Sequence, residues 1–314
     1  MTEQLQSQDP DFMRAVELLQ RGEQVAFATE TVYGLGADAR DDRAVAGIYA
    51  AKGRPSFNPL IVHIASADDA KRYVLWSDHC EKVTNAFWPG PLTLVLPLRG
   101  DAGISKLVTA GLNTLAIRVP AHPSAQRLLR AFGGPLAAPS ANPSGRISPS
   151  TAEHVLNGLN GKIAAVLDGG SCTVGLESTI LDLTNPNRPT LLRAGGVSAD
   201  DLGTHLGCDV AQQHDATPGT VTAPGQLSSH YAPRASMRLN ATDWRPGELR
   251  LGFGDVDCDL NLSEQGDLVE AAANLFAHLH QLDAANAAIA VSPIPNMGLG
   301  LAINDRLTRA AAPK

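Results

Sequence analysis

Apolar residues along this chain fall into two rhythms, one spaced three and four apart and one continuous. The first rhythm opens early. Asp9-Pro10 starts a helix whose inner side is Phe12, Ala15, Val16, Leu18 and Leu19, and Gly22 closes it. Residues 25–29 then read as a short buried strand running into a glycine-containing turn. Asp41 or Asp42 caps a second helix through Val45, Ile48 and Tyr49, which stops near Gly53 and Pro55. The second rhythm follows as apolar runs at 60–65, 92–98, 115–120, 163–168, 178–183 and 190–195, each short enough for a strand. Ser66 with Asp69 and Ser150 with Glu153 have the spacing of a capping box, so helices should open there. Strands outnumber helices, and a mixed sheet fits better than a regular βαβ alternation.

Near residue 200 the pattern changes. Residues 200–235 are rich in Pro, Gly, Ser and Thr without apolar periodicity, and read as a linker or lid that carries Tyr231. A second unit follows: a strand at 249–254, a helix over 268–285, a strand at 288–293 and a terminal helix around 303–311. The expected organisation is a first α/β unit at 1–199, the linker at 200–235 and a smaller α/β domain at 236–314.

Composition narrows the class. The 314 residues are 44% hydrophobic and 18% charged, an ordinary globular balance. A formal charge of -7 gives no global attraction for nucleic acid, so any such contact should act through a local patch. Cys80, Cys172, Cys208 and Cys258 are scattered without a C-x-x-C pair and read as reduced thiols of a cytoplasmic protein. The polar, acidic start lacks the regions of a secretory signal. No apolar run approaches the roughly 18 residues of a membrane span.

Two glycine motifs are set aside first. Gly34-Leu35-Gly36-Ala37-Asp38-Ala39 fits the dinucleotide fingerprint, but the next helix starts later and Ser56 stands where an acid is needed. There is no P-loop, so bound ATP must use another architecture. Lys52 and Arg54, beside Asn58, are either solvated cations at a helix end or a phosphate clamp. The small residues Ala137 and Ala138, followed by Ser140, Asn142, Ser144 and Ser148, form either a surface loop or a place where a ligand meets main-chain N–H groups. Arg118 and Arg193 lie inside apolar strands and need an anionic partner, a protein carboxylate or a shared ligand. His63, pointing opposite to Val62, is a core histidine or a ligand contact. Glu177-Ser178-Thr179 is a cap, a turn or part of a site.

The segments TETVYGLGADA, KGRPSFNPLIVHI, WPGPLTLVL, AIRVP, APSANPSG, ESTILDL and LLRAGG stand in order across roughly residues 25–196. Together they resemble the threonylcarbamoyl-AMP synthase family, the YrdC fold, and PGQLSSHYAP with the last α/β unit resembles its longer two-domain form. Two departures stand out. Ala28-Thr29-Glu30 replaces the common Pro-Thr-Asp or Pro-Thr-Glu, and Gln226-Leu227-Ser228-Ser229 replaces a Met-Lys-type sequence.

The resemblance implies a twisted mixed α/β sheet with a concave, positively lined surface, followed by a linker and a small Rossmann-like domain. It implies that Thr31, His63, Arg118, Ala138 and Ser178 contact L-threonine, with Arg118 on its carboxylate. Arg54, Asn58, Thr114, Ser140, Asn142, Ser148, Arg193 and Tyr231 would surround ATP, and Lys52 with Arg54 would act on its phosphates together with Mg2+. The implied reaction joins L-threonine, bicarbonate and ATP into threonylcarbamoyl-AMP and pyrophosphate. A downstream transferase machinery would pass the product to tRNAs reading codons that start with A; direct tRNA binding is left open. A carbamoyl-transfer module of hydrogenase maturation shares the fold but carries zinc-finger C-x-x-C pairs that are absent here. An RNA-binding factor using the concave surface is disfavoured by the acidic charge and by only 4% aromatic residues.

Overall fold

The computed structural model describes residues 1–212 and 229–313. The large sheet contains β1 (Glu3–Gln6), β2 (Val25–Phe27), β3 (Gly34–Asp38), β4 (Ile61–His63), β5 (Leu92–Pro97) and β6 (Thr114–Arg118). It continues with β7 (Leu136–Ala137), β8 (Ala165–Asp168), β9 (Thr179–Asp182), β10 (Thr190–Arg193) and β11 (Ala211–Gln212). Their spatial order is β1-β8-β2-β3-β7-β4-β6-β5-β9-β10-β11. Pairings are mixed: β2 lies antiparallel to β3 and parallel to β8, while β6 lies parallel to β4 and antiparallel to β5. The mixed sheet expected from the strand-rich pattern is present.

Helix signals landed well. Asp11–Gln20 buries the five predicted residues, and Asp42–Lys52 is capped by Asp41, whose side chain accepts from the Arg43 and Ala44 amides. Ser66 caps its short helix as expected, but Thr151, not Ser150, caps Ala152–Leu159 by accepting from the His154 amide. The glycine-containing turn is a correction: Gly34–Asp38 is a strand paired with β2. A Cβ on Gly36 would stand 2.8 Å from Phe27 Cε1, so glycine there makes room for a ring across the pair. Within the expected linker, helix Ala199–Leu206 and β11, which pairs with β10, carry regular structure to Gln212. The stretch 213–228, with the middle of the expected lid including Gln226, Leu227 and Ser228, lies outside the described residues.

A second, all-parallel sheet holds β12 (Met237–Arg238), β13 (Leu249–Gly252), β14 (Leu260–Asn261) and β15 (Ile289–Val291) in the order β12-β15-β13-β14. Helices Leu268–Asp283 and Leu299–Ala311 belong to this unit. Its apolar core does not stop at the unit boundary. Leu275, Phe276, Ile303 and Leu307 share one cluster with Val32, Ile147, Leu176 and Tyr231. The imidazoles of His154 and His280 stack across the same junction with centroids 3.9 Å apart. Among the described residues no helix is long and apolar enough to cross a membrane.

Candidate active site

Parallel pairing of β4 with β6 sets His63 directly opposite Arg118 at the ends of their strands. Val62 points into the core, and His63 turns the other way into a cleft, as alternation requires. The loop after β2 brings Thr31 to the same place. Thr29 shapes that loop by accepting from the Thr31 and Val32 amides, both at 3.2 Å. Arg118 donates to Thr31 Oγ1 at 2.9 Å, to the Gly90 carbonyl at 3.1 Å and to Glu30 Oε1 at 2.5 Å. A protein carboxylate therefore accompanies this buried arginine, one of the two partners its apolar setting called for.

Ser178 leads into β9, and its hydroxyl lies 2.7 Å from that of Thr93. Arg193, at the end of β10, donates through Nη2 to the Ser178 carbonyl at 2.9 Å and to its hydroxyl at 3.2 Å. The β9–β10 register shifts between Leu191 and Arg193, the kind of irregularity that re-aims a side chain. On the opposite wall, Gly53 ends its helix at φ 61°, and Arg54 then donates to the Asn58 and Pro59 carbonyls. Asn58 is fully buried, and neither atom of its amide has a hydrogen-bond partner among the described residues.

Arg54, Arg118, Ser140 and Arg193 open onto a single cleft, which Thr31, His63, Ala138, Ser178 and Tyr231 also line. The remaining expected contacts stand behind its walls. Lys52 is buried and donates to the Ser140 carbonyl and, at 2.5 Å, to that of Asn142, so it pins the turn instead of facing the cleft. Ser148 is wholly buried and donates to Glu177 Oε1 at 2.5 Å. The Asn142 amide donates to the Pro143 and Arg146 carbonyls. Thr114 is half-buried at the start of β6, paired with Pro97.

Three residues of this neighbourhood, Glu30, His230 and Arg306, were not singled out as site residues, and Glu177 was read only within the Glu177-Ser178-Thr179 segment. Only Arg306 left a local signal, as a cation on the apolar stripe of Ala302, Ile303, Leu307 and Ala310.

The electrostatics favour an anionic guest. Burial pushes the Arg54 guanidinium down to about 10 and lowers Arg193 as well. Burial, reinforced by Arg118, pushes His63 down to about 3, so its imidazole is neutral at ordinary pH. Burial pushes the Glu177 carboxyl up, but Arg306, Arg193 and the Ser148 hydroxyl more than offset this and hold it below its usual value. The free volume between the walls is about 50 Å³, well below the roughly 300–1,000 Å³ of typical small-molecule sites. Among the described residues no three His, Cys, Asp or Glu side chains gather as a metal cage.

Residues 17–195 match the Sua5, YciO and YrdC family, described as telomere recombination, and residues 197–312 match the C-terminal domain of threonylcarbamoyl-AMP synthase. The chain belongs to the threonylcarbamoyl-AMP synthase family. It is 38% identical to the threonylcarbamoyl-AMP synthase of Bacillus subtilis over 99% of this chain and 96% of that protein. The threonylcarbamoyl-AMP synthase of Pyrococcus abyssi is 40% identical over 95% of this chain and 93% of its own length. A crystal structure of P. abyssi Sua5 complexed with L-threonine superposes with a TM-score of 0.89 and 35% identity, covering 99% of this chain and 97% of that one. The synthase family thus accounts for both units and for their joint fold.

Proposed function

We propose that this chain makes threonylcarbamoyl-AMP from L-threonine, bicarbonate and ATP, releasing pyrophosphate. The observation that carries the reading is the convergence of Arg118, His63 and Ser178 with Arg54, Ser140 and Arg193 on one cleft. The first three form an amino-acid end. Arg118 takes the threonine carboxylate as a fork, and the neutral His63, whose Nδ1 has no partner among the described residues, receives a hydrogen bond from amine or hydroxyl. Arg54 and Arg193 form the nucleotide end, where their charges meet the triphosphate.

The chemistry needs no protein nucleophile. The threonine amine combines with bicarbonate to give a carbamate and water. A carbamate oxygen then attacks the α-phosphorus, and the bond to the β-phosphate breaks as pyrophosphate leaves. The protein positions the reactants and stabilises charge that develops on the phosphates. Magnesium, when it arrives on the triphosphate, supplies further charge neutralisation. The Asn58 amide oxygen, without a hydrogen-bond partner among the described residues, is the group that would help to hold such an ion.

The narrow free volume supports a lid. His230 and Tyr231 form part of the cleft wall from the C-terminal side, and Tyr231 holds a left-handed backbone at φ 61°. Backbone strain of this kind often accompanies a switch. In our reading this segment withdraws to admit ATP and returns to exclude water from the labile carbamate. The product would pass to a transferase that acts on tRNA.

The test is direct: purified protein is given all three substrates, then each is omitted in turn, and adenylate and pyrophosphate are measured. Pyrophosphate release that requires threonine and bicarbonate together supports the proposal. Release without threonine, or salt-dependent tRNA binding with no turnover, rejects it.

A further inference from the structure

The C-terminal unit reaches the nucleotide end of the cleft through two side chains. Arg306, on helix Leu299–Ala311, is 0% exposed. Its Nε donates to Glu177 Oε2 at 2.8 Å, and the other oxygen of Glu177 accepts from Ser148 Oγ at 2.5 Å. Its guanidinium carbon lies 5.3 Å from the centre of the Tyr231 ring. His280, on helix Leu268–Asp283, lies with Nε2 3.1 Å from the Ser148 carbonyl. Ser148 is therefore held at hydroxyl and carbonyl by groups that depend on the C-terminal unit.

This arrangement is a poor way to gain stability alone. A fully buried arginine costs several kcal/mol of desolvation, and well-packed apolar residues in place of such a pair are often as stable or more so. Nη1 reaches Asp305 at 2.9 Å, but Nη2 has no hydrogen-bond partner among the described residues, which adds to the cost. An apolar residue at 306 would suit the stripe around it. What the guanidinium offers beyond packing is direction. It fixes which way Glu177 faces, keeps that carboxylate charged as an acceptor for Ser148, and presents a cationic face to Tyr231.

We propose that Arg306 is a positioning residue for the nucleotide end of the cleft, acting through Glu177 on Ser148 and through its face on Tyr231. The proposal rests on the synthase reading above and assigns the C-terminal unit a part in ATP binding.

The experiment compares wild type with Arg306→Lys, Arg306→Met, Glu177→Gln and the double variant Arg306→Met/Glu177→Gln. Each is assayed for adenylate formation across ATP and threonine concentrations, for threonine and ATP binding by calorimetry, and for thermal unfolding. Loss of the charge-assisted bonds should raise KM for ATP about tenfold or more in both Arg306 variants, while threonine affinity stays within about twofold. The double variant should lose less than the product of the two single losses, because the Glu177 relay is common to both while the Tyr231 contact belongs to Arg306 alone. Arg306→Met matching wild type in ATP KM overturns the proposal. So does a double loss equal to the product of the single losses, or a fall in threonine affinity as large as that for ATP. If Arg306→Met does not fold, Arg306→Lys and Glu177→Gln carry the comparison. A wild type that makes no adenylate sinks the synthase reading itself, and the ATP calorimetry then decides the positioning role independently.

Discussion

Glu30 and Arg118 form an ion pair of 2.5 Å in which both side chains are under a tenth exposed. The pair sits beside the proposed threonine end of the cleft, where the Arg118 guanidinium also holds Thr31. Neutralising Glu30 leaves a buried cation with no counter-charge. Glu30→Gln should therefore cost about 3 kcal/mol of stability. Added threonine would then supply the missing carboxylate, so it should raise the unfolding temperature of the variant by more than that of wild type. Thermal unfolding with and without threonine checks this; equal shifts would place the threonine carboxylate away from Arg118.

Tyr231 separates packing from recognition. Its ring is buried against Phe276, while its hydroxyl has no partner among the described residues. Removing an unpaired buried hydroxyl should not destabilise the fold, and Tyr231→Phe should unfold at or above the wild-type temperature. If the hydroxyl meets nucleotide, KM for ATP should rise about fivefold to twentyfold in the same protein. Tyr231→Ala, or cutting the chain within the linker, should lower synthesis sharply. Unchanged turnover in the cut enzyme would remove the lid from the mechanism.

Acid should weaken the fold through its buried imidazoles. Burial pushes His63 down to about 3 and His280 to about 4, the latter helped by His154. In the unfolded chain both titrate near 6.5. The unfolded state thus binds more protons below that pH, and stability present above about 6.5 is lost as pH falls toward 4 and then 3. Urea unfolding at a series of pH values should show this decline, and His280→Gln should flatten its upper part. An unchanged slope in His280→Gln would mean that its imidazole already titrates normally in the fold.

Gly195 tests how tightly the Ser178 backbone is held. A Cβ at this position would lie 2.4 Å from the Glu177 carbonyl oxygen and 2.4 Å from the Thr179 nitrogen. Neither atom is the end of a flexible side chain, so the strand lead-in must move. Gly195→Ala should cost about 3 kcal/mol or more and weaken threonine binding in the fraction that folds. Wild-type threonine affinity in this variant would show that Ser178 tolerates displacement.

Much of the frame was legible because local chemistry specified it. Asp41 capped the predicted helix, and the alternation of Val62 and His63 told which side faced the cleft. Arg118 announced its need for an anion from within an apolar run. What stayed hidden depended on partners distant in the chain. Glu30 meets Arg118 across 88 positions, and nothing beside Glu30 foretold it. Lys52 reads the same at a helix end whether it faces water or phosphate, yet its ammonium reaches carbonyls 88 and 90 residues away. Gly34 to Asp38 resembled a turn because the ring that requires glycine, Phe27, lies on the neighbouring strand.

The cationic cleft sits in a chain whose formal charge is -7. A polyanion approaching from afar meets mild repulsion, and only within the cleft does it meet the guanidiniums of Arg54, Arg118 and Arg193. Dissolved electrolyte then works in two opposed directions, shielding the outer repulsion while it loosens the inner hold. Arrival of nucleotide should quicken with ionic strength even as its residence shortens, and departing pyrophosphate should feel the same restraint that first drew the triphosphate in.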